Sequence, residues 1–269
     1  MSEENPILSF NDAFAALNSA SEAFKVDVWV PSLEKYLTFK EIDAKQQKNI
    51  LSSAIDNSVY SSDFVKVFYN ILKENILNED NSIIDNLTIT DRSFIAIALR
   101  KQISSEVSVS FLDTLTEKVS LDNIISNFGS YVVPKSETIE VTNNNVTIST
   151  TVSIPTIKDE LIYEEEFQKT YKKVDDIKTT KDVQSLVSEA FIGETSKYIS
   201  NVSVNGAEFN FKDLTFNQKI KVVEKLPSGL IQKTLEVISN WKKNVDSFLT
   251  VTSGENSKVI SIDSVLFLS

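Results

Sequence analysis

Residues 88–101 read TITDRSFIAIALRK, and this stretch predicts the helix around which the rest of the fold packs. Residues 94–99 are apolar on every side of a helix, a pattern that predicts a helix in the middle of the core. Thr88 or Thr90 is placed to cap the helix N-terminus, because a threonine hydroxyl can accept a hydrogen bond from an unpaired backbone N–H. Arg100 closes the helix, where the negative end of the helix dipole favours a cation.

Both arginines of the chain, Arg92 and Arg100, lie on this helix, whereas every other basic residue is a lysine. In one interpretation, Asp91 and Arg100 only complement the two ends of the helix dipole. In the other, arginine is needed for bidentate pairing with a carboxylate, inside the protein or across an interface. The presence of both arginines on one buried helix favours the second interpretation. Asp91, Arg92 and Arg100 are therefore predicted to be structural or interaction residues.

The segments on either side carry patterns of regular secondary structure. Runs of alternating β-branched and polar residues predict hairpins, and apolar residues at helical spacing predict helices. The predicted hairpins cover residues 25–40, 137–157 and 198–211, and residues 247–268 are predicted to form a final extended pair. The predicted helices cover residues 44 to about 57, 61–77, 121–127, 159–173, 182–191, 216–226 and 228–245.

Local signals mark where some of these elements begin and turn. Asp43 with Gln46, and Thr215 with Gln218, have the spacing of a capping box, in which each residue satisfies a backbone N–H of the other. Asn205-Gly206 is the strongest two-residue hairpin signal in the chain, because both residues tolerate a positive φ.

The first 24 residues leave two interpretations open. Phe10, Phe14 and Leu17 follow helical spacing, which is typical of a short docking helix. A flexible arm accounts for the same composition equally well.

These elements together predict an α+β fold of mostly helical lobes with β-hairpins, one of them a central hairpin between two halves. The predicted organisation is an N-terminal arm at residues 1–25, a hairpin plus helical lobe at 26–135, a central β-hairpin at 136–158, and a C-terminal helical lobe with hairpins at 159–269.

The composition excludes several kinds of chemistry. The 269 residues include no cysteine and no histidine, which rules out disulfides, thiolate metal sites and the commonest general base. The net charge of −11 argues against direct binding to nucleic acid. No apolar run is long enough to cross a membrane, and the N-terminus lacks the pattern of a secretory signal. The sequence contains no glycine loop for phosphate and no calcium loop, and the chain is predicted to have no catalytic residue, cofactor or metal.

Carboxylate pairs, lysine nucleophiles and magnesium sites remain possible on composition alone. Residues 164–166 and 175–176 are runs of acids, but consecutive acids on a helix point to different faces, so both runs are predicted to be solvated surface. The enzymatic alternative is a carboxylate-dependent hydrolase, which requires two acids that converge in a pocket and have raised pKa values.

Several short motifs occur in an order that carries a family resemblance. They are WVPSL at 29–33 followed by Phe39 and QQK at 46–48, DRSFIAIALR at 91–100, LPS at 226–228, and IDSVLF at 262–267. The chain from about residue 26 resembles the T4-like phage baseplate hub subunit family in these motifs. Some relatives carry a Cys-x-x-Cys ribbon between the two halves, and residues 137–157 keep a hairpin there without cysteine.

The resemblance implies a non-enzymatic subunit of the central hub of a contractile tail baseplate. Such a protein is made in the host cytoplasm, is built into the virion, and binds other baseplate hub and tail proteins. It uses no cofactor, small-molecule substrate, nucleic acid or membrane. The alternative that the resemblance leaves open is a transient assembly factor that promotes hub formation and is absent from the finished virion.

Overall fold

The computed structural model describes residues 9–21, 23–53, 62–112, 115–170 and 179–267. It has the predicted α+β fold, in which helices pack with several small antiparallel sheets. None of the helices in the described ranges is both long enough and apolar enough to cross a membrane.

The helices and strands are numbered in chain order. The helices are α1 Phe10–Ser21, α2 Ala44–Ser53, α3 Ser62–Asn75, α4 Ile89–Ile103, α5 Leu121–Ile125, α6 Ile157–Thr170, α7 Thr180–Ser196, α8 Phe216–Val223 and α9 Ser228–Leu249. The strands are β1 Lys25–Val30, β2 Lys35–Lys40, β3 Glu106–Leu112, β4 Leu115–Ser120, β5 Glu137–Asn143, β6 Val146–Val152, β7 Ile199–Val204, β8 Ala207–Asn210, β9 Thr250–Ser253 and β10 Asn256–Val259.

The strands in the described part of the chain form three separate hairpins and one larger sheet. The hairpins are β1–β2, β3–β4 and β9–β10, and the larger sheet has the order β5-β6-β7-β8. The predicted central hairpin is β5–β6, and it also pairs with β7, for example through Thr150 opposite Val202. Asn205 and Gly206 have φ values of 50° and 79°, as the predicted turn between β7 and β8 requires.

Helix α4 lies in the middle of the first of the two hydrophobic cores that the described residues form, as its sequence predicts. Phe94 and Leu99 are fully buried, and the Phe94 ring stacks on that of Phe128 at 4.2 Å between centroids. The first core also includes Leu266 and Phe267 from the end of the chain. The second core lies between the four-stranded sheet and helices α8 and α9, and it contains Trp241. The division of the chain into lobes at residues 135 and 158 stays a prediction.

The predicted helix caps are present. The backbone N–H of Gln46 donates to Asp43 Oδ1 at 2.7 Å. Thr215 and Gln218 form the second capping box. At α4 the cap is Thr88 and not Thr90, because Asp91 completes a capping box with Thr88.

Several boundaries differ from the predictions. Helix α9 extends to Leu249, and α5 ends at Ile125. The predicted extended pair at residues 247–268 is wrong at both ends, because residues 247–249 belong to α9 and Ser264–Phe267 form a 3-10 helix. The β3–β4 hairpin was not predicted from the sequence. The predicted helical residues 54–57, 61 and 171–173, and residue 268 of the predicted extended pair, lie outside the described ranges.

Candidate functional site

Asp91 is fully buried at the start of α4 and joins two parts of the fold. Its Oδ2 accepts hydrogen bonds from the backbone N–H and the hydroxyl of Thr88, both at 2.7 Å. Its Oδ1 accepts from the backbone N–H of Ser32, in the turn between β1 and β2, at 3.1 Å. The carboxylate therefore caps α4 and at the same time fixes the first hairpin against it.

Arg100 is fully buried at the other end of α4 and binds backbone carbonyls. Its Nε donates to the carbonyl of Leu266 at 2.8 Å, and its two terminal nitrogens donate to the carbonyls of Ser104 at 3.1 Å and Glu106 at 3.3 Å. The predicted pairing with a carboxylate is thus wrong for Arg100. The reason is its position, since the C-terminus of a helix and the chain after it present carbonyl oxygens that need donors.

Arg92 does pair with a carboxylate, that of Glu160 on α6, through one terminal nitrogen. Lys197 Nζ lies 3.6 Å from the other oxygen of Glu160 and 2.7 Å from Glu194. Lys242 Nζ on α9 lies 2.9 Å from Glu194. These five residues form an ionic cluster that links α4, α6, α7 and α9.

The inner part of the ionic cluster is shielded from water. The side chains of Lys197, Glu160 and Arg92 are only 7%, 9% and 12% exposed. Breaking such a pair by removing one partner is costly, because the remaining charge stays buried without compensation. The main role of the cluster is therefore structural, since it fixes the packing of α4, α6, α7 and α9 against one another.

Glu164 lies beside the ionic cluster, and its Oε2 is buried without a hydrogen-bond partner in the described structure. Desolvation raises the pKa of Glu164 to about 7, and the negative charges of Glu160 and Glu194 add to this effect, while Lys197 and Arg92 oppose it. The prediction that residues 164–166 are all solvated surface is therefore wrong for Glu164. Consecutive residues occupy different helix faces, and this one faces inward.

We expect the Glu164→Gln substitution to stabilise the protein at alkaline pH. Because the pKa of Glu164 rises from 4.5 to about 7 on folding, its stabilising contribution is complete below pH 4.5 and is lost as the pH rises through 7. A neutral amide at this position would remove this loss, which amounts to about 1–3 kcal/mol at pH 8. Urea unfolding of both proteins at pH 4.5 and at pH 8 measures the change in the free energy of unfolding that the substitution causes. Equal effects of the substitution at both pH values would contradict the assignment.

A pocket of about 190 Å³ lies next to the ionic cluster, between α4 and α9. Its wall includes Arg92, Tyr198, Trp241 and Lys242, but Glu160, Glu164 and Glu194 do not line it. These three acids therefore do not converge on this cavity. Within the described ranges, no group of three or more acids is arranged to hold a metal ion.

Helix α1 carries the most exposed apolar surface of the described chain. Phe10, Phe14 and Leu17 are 81%, 57% and 68% exposed, and the two phenyl rings stack at 6.1 Å between centroids. Of the two interpretations of this segment, a docking helix and a flexible arm, the structure has a helix at Phe10, Phe14 and Leu17. Their shared face is available for docking.

Comparisons with known proteins give no relative on which to base an assignment. No protein-family model, curated protein or solved structure matches the chain.

The sequence did not reveal the other four members of the ionic cluster. Glu160, Glu194, Lys197 and Lys242 come from three parts of the fold and have no shared motif. The only signal was Arg92 itself, an arginine on a helix whose central residues are all apolar.

Proposed function

We propose that this chain is a structural subunit of the central hub of a contractile phage tail baseplate and that it acts by binding other proteins. The observation that carries the binding role is the exposed apolar face of α1. The assignment to a baseplate hub is supported by the order of the sequence motifs at 29–48, 91–100, 226–228 and 262–267.

The geometry of α1 favours docking into a partner. The helix has 12 residues and is about 18 Å long. Burial of a large apolar side chain contributes roughly 1.5–3 kcal/mol. The three side chains of α1 would therefore supply a large part of the free energy of binding to a partner. A short helix with three apolar side chains on one face fits the helix-in-groove mode of recognition, in which residues at helical spacing enter a hydrophobic groove.

The face of α1 provides a direct test of the binding role. We expect the triple substitution Phe10→Ser, Phe14→Ser and Leu17→Ser to leave the thermal unfolding temperature unchanged, because these side chains are exposed. We expect it to reduce at least tenfold the amount of other tail proteins recovered with the tagged chain from cells infected by the encoding phage.

A matched control is available in two other exposed apolar side chains. Tyr36 and Val132 are 61% and 77% exposed and lie outside α1. The double substitution Tyr36→Ser and Val132→Ser should retain recovery. Full recovery with the α1 variant would contradict a docking role for this helix.

The second candidate is an assembly factor that promotes hub formation and then leaves. Both candidates use the same docking face, so the capture experiment does not separate them. They differ in the composition of the finished particle. A structural subunit made in the host cytoplasm stays in the virion, whereas an assembly factor does not.

A further inference from the structure

The pocket of about 190 Å³ between α4 and α9 combines apolar walls with hydrogen-bond donors. Ile89, Ile154 and Val245 supply aliphatic walls, and Trp241 supplies an aromatic one. A cavity of about 150 Å³ is large enough to hold a benzene ring. This pocket therefore has room for one ring, or a branched apolar group of that size, with a small polar substituent.

Tyr198 places a hydroxyl without a partner in this pocket. The residue is only 2% exposed and lines the pocket, and its hydroxyl makes no hydrogen bond to any residue in the described ranges. Desolvation raises the pKa of Tyr198, and the negative charges of Glu194 and Glu160 add to this effect, while Arg92 opposes it. The hydroxyl therefore keeps its proton and is a donor without an acceptor. Buried polar groups are rarely left in that state, which points to an acceptor from outside the chain.

Arg92 brings further unused donors to the same wall. One of its terminal nitrogens pairs with Glu160, whereas Nε is buried and has no partner. The other terminal nitrogen makes no hydrogen bond in the part of the chain that the structure describes. Because the side chain is 12% exposed and lines the pocket, this second terminal nitrogen is the atom that a ligand can reach.

The charges around the pocket favour an anion. The ionic cluster contains three cations and two carboxylates, and two of its cations, Arg92 and Lys242, line the pocket. Below pH 7, Glu164 keeps its proton and adds no charge to the cluster. Asp246 is the acidic residue in the described wall, and it is exposed, so water and salt screen its charge. The buried part of the wall therefore has positive charge and donors, and its acidic residue lies at the solvent side.

We propose that the pocket between α4 and α9 binds a compact organic carboxylate with an aromatic or branched apolar body. The carboxylate accepts hydrogen bonds from the Tyr198 hydroxyl and from the second terminal nitrogen of Arg92, and the Lys242 ammonium group adds a charge at the entrance. The apolar body lies against Trp241 and Ile154. The proposal does not depend on the assignment to a baseplate hub or on the face of α1.

Three probes of nearly the same shape test the charge of the ligand. Benzoate is an anion, benzamide is neutral and benzamidinium is a cation. Trp241 reports on the pocket, and Trp29, the other tryptophan of the chain, lies on β1 and is the internal control. At constant ionic strength below pH 7, we expect benzoate to shift the NMR signal of the Trp241 indole N–H but not that of Trp29. Benzamide should bind at least tenfold more weakly, and benzamidinium should not bind.

Tyr198→Phe tests the hydroxyl without disturbing the fold. Since this hydroxyl has no partner among the described residues, we expect the substitution to leave the thermal unfolding temperature unchanged. It should weaken benzoate binding at least tenfold, because a hydrogen bond to a charged group is lost. Tyr36→Phe is the matched control, since Tyr36 is 61% exposed on the first hairpin and does not line the pocket. This control should bind benzoate as the unaltered chain does.

Asp246→Asn gives a test in which binding is gained. Removal of the negative charge from the wall should tighten benzoate binding at least twofold at low ionic strength. Glu236→Gln is the control for this change. Glu236 is also an exposed acid on α9, but it lies ten residues earlier, which is about 15 Å along the helix. Its replacement should leave the affinity for benzoate unchanged.

The same carboxylate chemistry is available from a free small acid and from the last residue of a partner chain. A pentapeptide that ends in phenylalanine with a free carboxylate separates the two sources, with the amidated peptide as its control. Tighter binding of the free-ended peptide than of benzoate assigns the pocket to a chain terminus. Weaker binding of the peptide assigns it to a small molecule. Both results support the carboxylate site.

Three results would overturn the proposal. The first is a Trp241 signal that none of the carboxylate probes shifts at its highest soluble concentration. The second is equal affinity for benzoate and benzamide, which would show that the pocket does not recognise the charge. The third is unchanged benzoate affinity in Tyr198→Phe together with unchanged affinity in Asp246→Asn.

Discussion

Replacement of Arg100 by methionine is expected to lower the free energy of unfolding by about 3–5 kcal/mol. Methionine fills a similar volume but leaves the carbonyls of Leu266 and Ser104 without the donors that Arg100 supplies, whereas the carbonyl of Glu106 keeps the hydroxyl of Ser104 as a donor. Each buried polar group left unpaired costs about 1–3 kcal/mol. Urea unfolding measures the change, provided that the slope with denaturant is the same in both proteins.

Arg100→Lys separates the charge from the geometry. Lysine keeps the cation at the C-terminus of α4, but its single ammonium group cannot reach three carbonyls in the planar arrangement of a guanidinium. We therefore expect an intermediate loss of stability. If lysine restored full stability, the helix dipole and not the carbonyl contacts would explain Arg100. A loss below about 1 kcal/mol for methionine would contradict the role of the carbonyl contacts, because the helix dipole alone accounts for a loss of that size.

Asp91→Ala is expected to lower the free energy of unfolding by about 2–4 kcal/mol. The substitution removes the acceptor for the backbone N–H groups of Thr88 and Ser32, which lie at the start of α4 and in the first hairpin. It therefore combines the loss of a helix cap with the loss of a buried tertiary contact. Thermal or urea unfolding measures the effect.

Asp43→Ala is the matched control for this substitution. Asp43 is the N-cap residue of α2, the position that Thr88 takes at α4, and it accepts from the backbone N–H of Gln46. It lies on the surface and makes no second contact of the Ser32 kind within the described ranges. Its loss should therefore be about 1 kcal/mol, the ordinary value for a cap. Equal losses at Asp43 and Asp91 would show that the link to the first hairpin contributes nothing.

The parts of the fold that the sequence predicted are those with local causes. The buried helix α4 follows from residues 94–99, which have no polar face. The Asn205-Gly206 turn and the caps of α2 and α8 follow from side chains that act within a few residues of themselves. These signals do not depend on what the element packs against.

The β3–β4 hairpin illustrates what the sequence leaves undetermined. Val107, Val109 and Phe111 alternate with polar residues, as a half-buried strand requires. The sequence between the two strands is Asp113-Thr114, without the glycine that marks the strongest hairpin signals, so the prediction of a hairpin lacked its usual support.

The candidate site depends on long-range contacts and was predictable only in part. Arg92 and Glu160 are far apart in the chain, and their pairing is decided by how α4 packs against α6. The inward orientation of Glu164 has the same origin. For Arg100 the predicted carboxylate partner was wrong, because its carbonyl partners belong to parts of the chain that only the folded structure brings together.

The central claim is that this chain is a retained component of a phage tail, and quantitative mass spectrometry of purified virions tests it most directly. We predict that the chain is present at a fixed whole-number ratio to the other tail proteins, and that the ratio is the same in independent preparations. Its absence from virions, when it is abundant in infected cells, would contradict a structural role in the hub.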